Sequence, residues 1–383
     1  MTYAIPYLIL LTFYGICAFF IENIADEQRK KQITIVSILV FFVFFAFRGY
    51  LYTDWISYVK YMENVEWDNI VSFDFTDPDG KEPGFALLAM LCKVVYDDYF
   101  FLVFVCTTID TVLFFRFLHR RGVENIPLAL MLFITFEGLG IMFNLLRNAI
   151  SMFIFMNALE YIEKRKPVQY FSMCLLALSL HMSSLLFFPL YFFMHRKMNR
   201  WVFISVFFAC FLFYVSKLSI VLTFVRILGL EESFGTKIEA YTEIYSSSRA
   251  LSISVSLEKI GLAMLVFLYY DEIIARFKGR VIIINCLLAY YVLFYMLAEF
   301  NTLSYRMSML FLFTYWILWG DIVKTIYVAN NRKIVSSVLF LYCFYITMLA
   351  INTPCQEYDN ILFGAKGYQE RLTILNRTYQ EEE

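Results

Sequence analysis

Apolar residues run through this chain in long uninterrupted stretches, divided by short polar segments that carry most of its charge. The stretches fall near 3–21, 33–47, 99–118, 126–143, 147–162, 168–194, 201–225, 251–270, 281–300, 303–320 and 334–352. A helix of about 20 apolar residues crosses a ~30 Å hydrocarbon core. The pattern therefore predicts an all-α polytopic membrane protein of about 10–12 transmembrane helices. The first stretch has no basic leader and no small-residue cleavage site, so it reads as a retained helix. Gly84–Tyr96 is apolar but too short to span, as expected of a re-entrant or interfacial helix.

The polar segments assign sides. Basic clusters lie at Arg29–Lys31, Arg116 to Arg121, Lys164–Lys166, Arg196 to Arg200, Arg276 to Arg280 and Lys324 to Lys333. Short basic loops mark the cytoplasmic side. Residues 49–99 hold ten acids against three bases, a net of −7, and belong outside. The stretch 168–194 carries basic clusters at both ends and is 27 residues long. A hairpin of two half-spans, turning near Ser179–Ser184, satisfies both facts and puts His181 at the outer end. One membrane-embedded domain over 1–383 is expected, with outer loops at 48–98 and 226–250 and an outer tail at 353–383.

Composition agrees with this reading and narrows the chemistry. The chain is 61% hydrophobic and 20% aromatic, far from the balance of a soluble domain. Its eight cysteines are scattered, with no CxxC and no metal-type Cys/His spacing. No metal site, cofactor or nucleic-acid partner is indicated.

Ionisable groups at membrane depth are costly and tend to be functional. They gather on the outer side here. Arg48 closes the second span and is followed by Asp54, Trp55, Tyr58 and Tyr61. On a helix Asp54, Tyr58 and Tyr61 share a face, a carboxylate beside rings that stack on sugars. Glu82 precedes Pro83-Gly84-Phe85. Arg147 lies in NLLRNAIS with Asn144, Asn148 and Ser151 on one face, and its forked guanidinium suits phosphate oxygens. Glu137, in the preceding span, is the alternative, a residue that could simply neutralise Arg147 in an internal ion pair. His181 stands beside Ser183 and Ser184. Glu299 and Arg306 flank a tight outer turn. Each of these also has a plain structural reading, as an interfacial anchor, a core histidine or an internal ion pair.

The motifs FRGYLYTDWISY, KEPGF, LLRNAIS, LSLHMSSLL and YRMSMLFLFTYW, in this order, resemble the EpsG-like group of exopolysaccharide proteins, related to Wzy-type O-antigen polymerases. The resemblance covers about residues 1–350. The chain departs from it at Asn148, where the group often has Gln, and at Ser184 and Leu185, where it has small residues. The resemblance implies a fold like GT-C membrane glycosyltransferases. It also implies a metal-independent polymerase in the bacterial inner membrane, active on the extracytoplasmic side. Its substrate would be an oligosaccharide repeat unit on undecaprenyl diphosphate, drawn from the lipid phase. A flippase and a chain-length regulator would be its protein partners. The candidate bases are Asp54, Glu82 and His181, with Asp54 preferred. Arg48, Arg147 and Arg306 would bind diphosphate. Trp55, Tyr58, Tyr61, Asn144, Asn148 and Glu299 would contact sugar. Other polyprenyl-phosphate-sugar transferases, a lipid-linked-sugar transporter and a membrane acyltransferase are the alternatives.

Overall fold

The computed structural model describes residues 2–68, 81–216, 253–298 and 300–382. The expected outer loop at 226–250 and Glu299 lie outside the described residues. The described chain is helical throughout, with no strand among the described residues and one isolated bridge, Arg48 to Asn360. It divides into two compact units, residues 1–192 with 333–383, and residues 193–332.

Unit 1 contains α1 (Ile5–Asn23), α2 (Glu27–Ala46), α3 (Trp55–Asn64), α4 (Pro83–Val95), α5 (Tyr99–Arg120), α6 (Ile126–Asn144), α7 (Leu146–Glu163), α8 (Pro167–Leu180) and a returning limb, α9 (Met182–Phe193). Capping explains where several begin. Asp26 and Asp98 accept backbone N–H bonds at the starts of α2 and α5, Asn125 does so at α6, and prolines open α4 and α8. Nearly every residue of α7 is buried, so it is the central helix of the unit. Exposed Ile5, Ile9 and Ile16 on α1 present the apolar surface expected toward lipid.

Four helices among the described residues are long and apolar enough to span: α1, α5, α6 and Ala329–Ala350. A bent pair, Leu303–Phe311 with Phe313–Thr325, makes a fifth if taken as one span. The remaining expected crossings correspond to shorter or more polar helices, because breaks at Leu145 and His181 and charged ends shorten them.

The expected hairpin is present. α8 ends at His181, and the chain turns back so that the Tyr170 hydroxyl donates to the Phe187 carbonyl at 2.6 Å and Arg165 donates to the Tyr191 carbonyl at 3.2 Å. Two of the basic clusters meet acidic partners. Arg120 pairs with Glu160, Arg121 with Glu163, and Lys164 with Glu160, at one end of α5 and α7. Arg147 stands sixteen residues before Glu163, about 24 Å away at 1.5 Å per residue. α8 reaches about 21 Å over the same direction. Both therefore carry Arg147 and His181 to the end of the unit away from that charged cluster.

Unit 2 contains α10 (Arg200–Val215), α11 (Ile253–Leu268), α12 (Tyr270–Arg276), α13 (Arg280–Met296), α14 (Asn301–Ser308) and α15 (Phe313–Thr325). Its buried bidentate pair joins Arg280 to Asp321 at 2.5 and 3.0 Å. α16 (Ala329–Ala350) contains the boundary between units, and α17 (Tyr368–Glu382) ends the chain in unit 1.

Candidate functional site

The break between α6 and α7 is the centre of the site. Leu145 leaves helical geometry at φ −111° and ψ 49°, and the five residues Asn144–Asn148 reach three distant segments. Asn144 Oδ1 accepts the backbone N–H groups of Thr53 and Asp54 at 3.0 and 3.2 Å. Arg147 forms an ion pair with Glu82. Asn148 Oδ1 accepts the Ser183 hydroxyl at 3.0 Å. All three candidate bases are thus held by one stretch of chain.

Glu82 is occupied on both oxygens. Arg147 binds Oε2, and the Met182 N–H donates to Oε1 at 2.8 Å. The pair is mostly buried, with 18% of the arginine side chain and 11% of the glutamate exposed. Beneath it, Phe85 lies 5.8 Å from the guanidinium. Gly84 lets α4 meet the end of α8, since a Cβ there would stand 2.7 Å from the Ser179 carbonyl oxygen. Each residue of the KEPGF element therefore has a task, including Lys81, whose ammonium lies 3.3 Å from Ser57 Oγ and over the Tyr61 ring. Glu137, the alternative counter-ion, acts on Tyr52.

Arg147 also lies within electrostatic reach of the Tyr58 hydroxyl. Burial raises the Tyr58 pKa although Arg147 opposes it, and burial pushes Tyr61 up to about 12. Both stay neutral donors at physiological pH. Two atoms remain buried without a partner among the described residues: Arg147 Nε and the Tyr61 hydroxyl. Both can donate to an acceptor oxygen.

His181 caps the limb after the turn: its Nδ1 lies 3.1 Å from the Ser183 backbone nitrogen and 2.8 Å from the Ser183 hydroxyl. Ser183 thereby ties the imidazole to Asn148 of the hub.

Asp54 is half-exposed at the start of α3 and receives the Thr53 hydroxyl at 3.2 Å. Nearby, Tyr52 and Glu137 both adopt positive φ, 64° and 61°. Such strain in non-glycine residues costs about 1–3 kcal/mol each and collects at functional sites.

Other candidates are placed elsewhere. Arg48 is 1% exposed, and it donates to the Phe45 carbonyl at 2.9 Å and to Thr107 at 3.3 Å, within electrostatic range of Asp110. Trp55 is 1% exposed between Tyr50 and Tyr368. Arg306 is exposed on α14 of unit 2. Asp110 escaped the sequence reading, although a carboxylate inside an apolar span was signal enough.

The C-terminal tail holds the Arg48 segment in place. Gly49 N–H donates to the Asp359 carbonyl at 3.1 Å and Tyr52 N–H to Cys355 at 3.0 Å, while Ile361 N–H donates to Phe47 at 2.8 Å. Arg371 locks the tail on itself through Asp359 at 2.7 Å.

Among the described residues no cluster of His, Cys, Asp and Glu is arranged to hold a metal ion. In comparisons with known proteins, the model of the EpsG family matches residues 31–361, a stretch that includes the whole Asn144–Asn148 hub, its three partners and Asn360. No curated protein and no solved structure matches the chain.

Proposed function

The chain belongs to the EpsG family, and on that premise we propose that it polymerises oligosaccharide repeat units carried on a polyprenyl diphosphate, at the extracytoplasmic face of a bacterial inner membrane. The observation that carries the reading is the hub, which gathers a buried arginine, an imidazole and a half-exposed carboxylate, with Arg147 Nε and the Tyr61 hydroxyl left unpartnered among the described residues. In the reaction, the acceptor hydroxyl oxygen attacks the anomeric carbon of the donor glycan. A new C–O bond forms, the bond to the diphosphate oxygen breaks, and the hydroxyl proton passes to a base.

Arg147 would take the leaving diphosphate. Its Nε is the unpartnered donor, Glu82 holds it with Tyr58 in electrostatic reach, and a guanidinium fork matches phosphate oxygens. Charge that develops on those oxygens is stabilised by donors already in place. The hydroxyl of Tyr61 would add a further donor. Asp54 would take the proton. Glu82 has both oxygens engaged and serves as a clamp on Arg147, and the His181 imidazole is held by Ser183 through Nδ1. Asn144 sets the position of Asp54 through the backbone.

Asp54→Asn tests this assignment. It keeps shape and removes the base, so turnover should fall by roughly 10²–10⁴-fold, the usual worth of general-base catalysis. Long polymer should vanish from gels while the lipid-linked single unit accumulates in extracts. Normal polymer from this variant would remove Asp54 from the reaction.

A further inference from the structure

A cavity lies in unit 2, at the end where the basic loops 276–280 and 324–332 meet. It measures about 460 Å³ and is lined by Arg276, Lys324 and Arg332 with one carboxylate, Glu272. Arg276 is anchored, donating to the Lys324 carbonyl at 2.5 Å, so its guanidinium has a fixed place on the wall. The Tyr327 hydroxyl bonds the Glu272 carboxylate, yet Glu272 Oε1 is buried with no partner among the described residues. The cavity thus sets Arg276 and Arg332, with Lys324 in the same lining, where an anion would meet them, and beside them the Glu272 carboxylate.

Position narrows the ligand. The loops that form the cavity are those whose charge marks the cytoplasmic interface. Tyr327 is 82% exposed and Val328 57% exposed, an aromatic and an apolar side chain at headgroup level. Basic pockets at the cytoplasmic ends of membrane helices receive lipid headgroups. A purely anionic headgroup would satisfy the cations but leave Glu272 Oε1 unpaired and repelled. A phosphate joined to an ammonium two carbons away satisfies both.

We propose that this cavity binds an aminophospholipid headgroup of the phosphoethanolamine type, with the phosphate held by Arg276, Lys324 and Arg332 and the ammonium held by Glu272. The site is separate from the chemistry of the hub and does not depend on it. Native mass spectrometry of the full-length protein in detergent tests it, with phosphatidylethanolamine, phosphatidylglycerol and inorganic phosphate as probes. Wild type should retain phosphatidylethanolamine about tenfold more tightly than phosphatidylglycerol, the ratio that one charge-assisted hydrogen bond supports. Glu272→Gln should bring the two lipids level without weakening phosphatidylglycerol. Arg276→Gln combined with Arg332→Gln should weaken both lipids. If that double variant melts early, Glu272→Gln alone decides the matter. Equal retention of the two lipids by wild type, or a preference that survives Glu272→Gln, would overturn the proposal. Binding of inorganic phosphate as tight as that of the lipid would replace it with a free-phosphate site.

Discussion

Replacing Glu82 by glutamine puts the central clamp under direct test. Glutamine keeps the shape but offers one acceptor oxygen, so it cannot serve both Arg147 and the Met182 N–H. It also leaves the guanidinium without its counter-charge. Both side chains are less than one-fifth exposed, so solvent screening is weak. Breaking one side of a buried pair costs about 3–5 kcal/mol. At about 2 °C per kcal/mol for a large chain, the melting midpoint should fall by about 6–10 °C. Arg147→Gln should fall comparably, because it strands Glu82. The double variant pairs two neutral amides that hydrogen-bond each other, so it should lose less than the sum of the singles. A fluorescence-monitored melt in detergent of all four proteins gives the cycle. The coupling expected is about 2–3 kcal/mol, several degrees of non-additivity. Shifts that add to within about 0.5 kcal/mol would mean the two residues do not act as a pair.

Three further outcomes follow from the same geometry. Arg147→Lys keeps the charge but loses the fork and the Nε donor, so it should insert normally and make no long polymer; full polymer from this variant would reduce Arg147 to a counter-ion. Gly84→Ala should press α4 away from Ser179 and cost about 1–3 kcal/mol, read as a lower melting midpoint, with an unchanged midpoint showing the helices to be further apart. Because burial raises the folded pKa of Tyr61 from 10.0 to about 12, stability should hold below pH 10 and decline as pH rises toward 12, where the unfolded chain ionises first. Tyr61→Phe should flatten that decline, and an identical alkaline profile for the two proteins would show Tyr61 to be solvated.

What the sequence made legible was whatever depends on order along the chain. The length of 168–194 and its flanking charges announced the hairpin that turns at His181, and the shortness of Gly84–Tyr96 announced α4. Partnership was harder to read. Glu137 is ten residues from Arg147 and was an alternative counter-ion, yet Glu82, sixty-five residues upstream, holds it. Helical periodicity says which residues share a face, not which distant helix faces them. The aromatic cluster divides for the same reason. Tyr58 and Tyr61 join Arg147, while Trp55, one residue from Asp54, turns to Tyr368 of α17. Arg48 likewise reads as an outer-surface cation until the burial supplied by Thr107 and the tail is seen.

The pairing of residues 47–52 with 355–361 also sets an order of manufacture. The segment that leads into Asp54 leaves the ribosome well before its main-chain partners, with most of the described helices between them. The Gly49, Tyr52 and Phe47 bonds therefore form only once residues 355–361 have been made and brought back to this segment. A polypeptide not yet elongated through Ile361 carries Asp54 without the frame that fixes it.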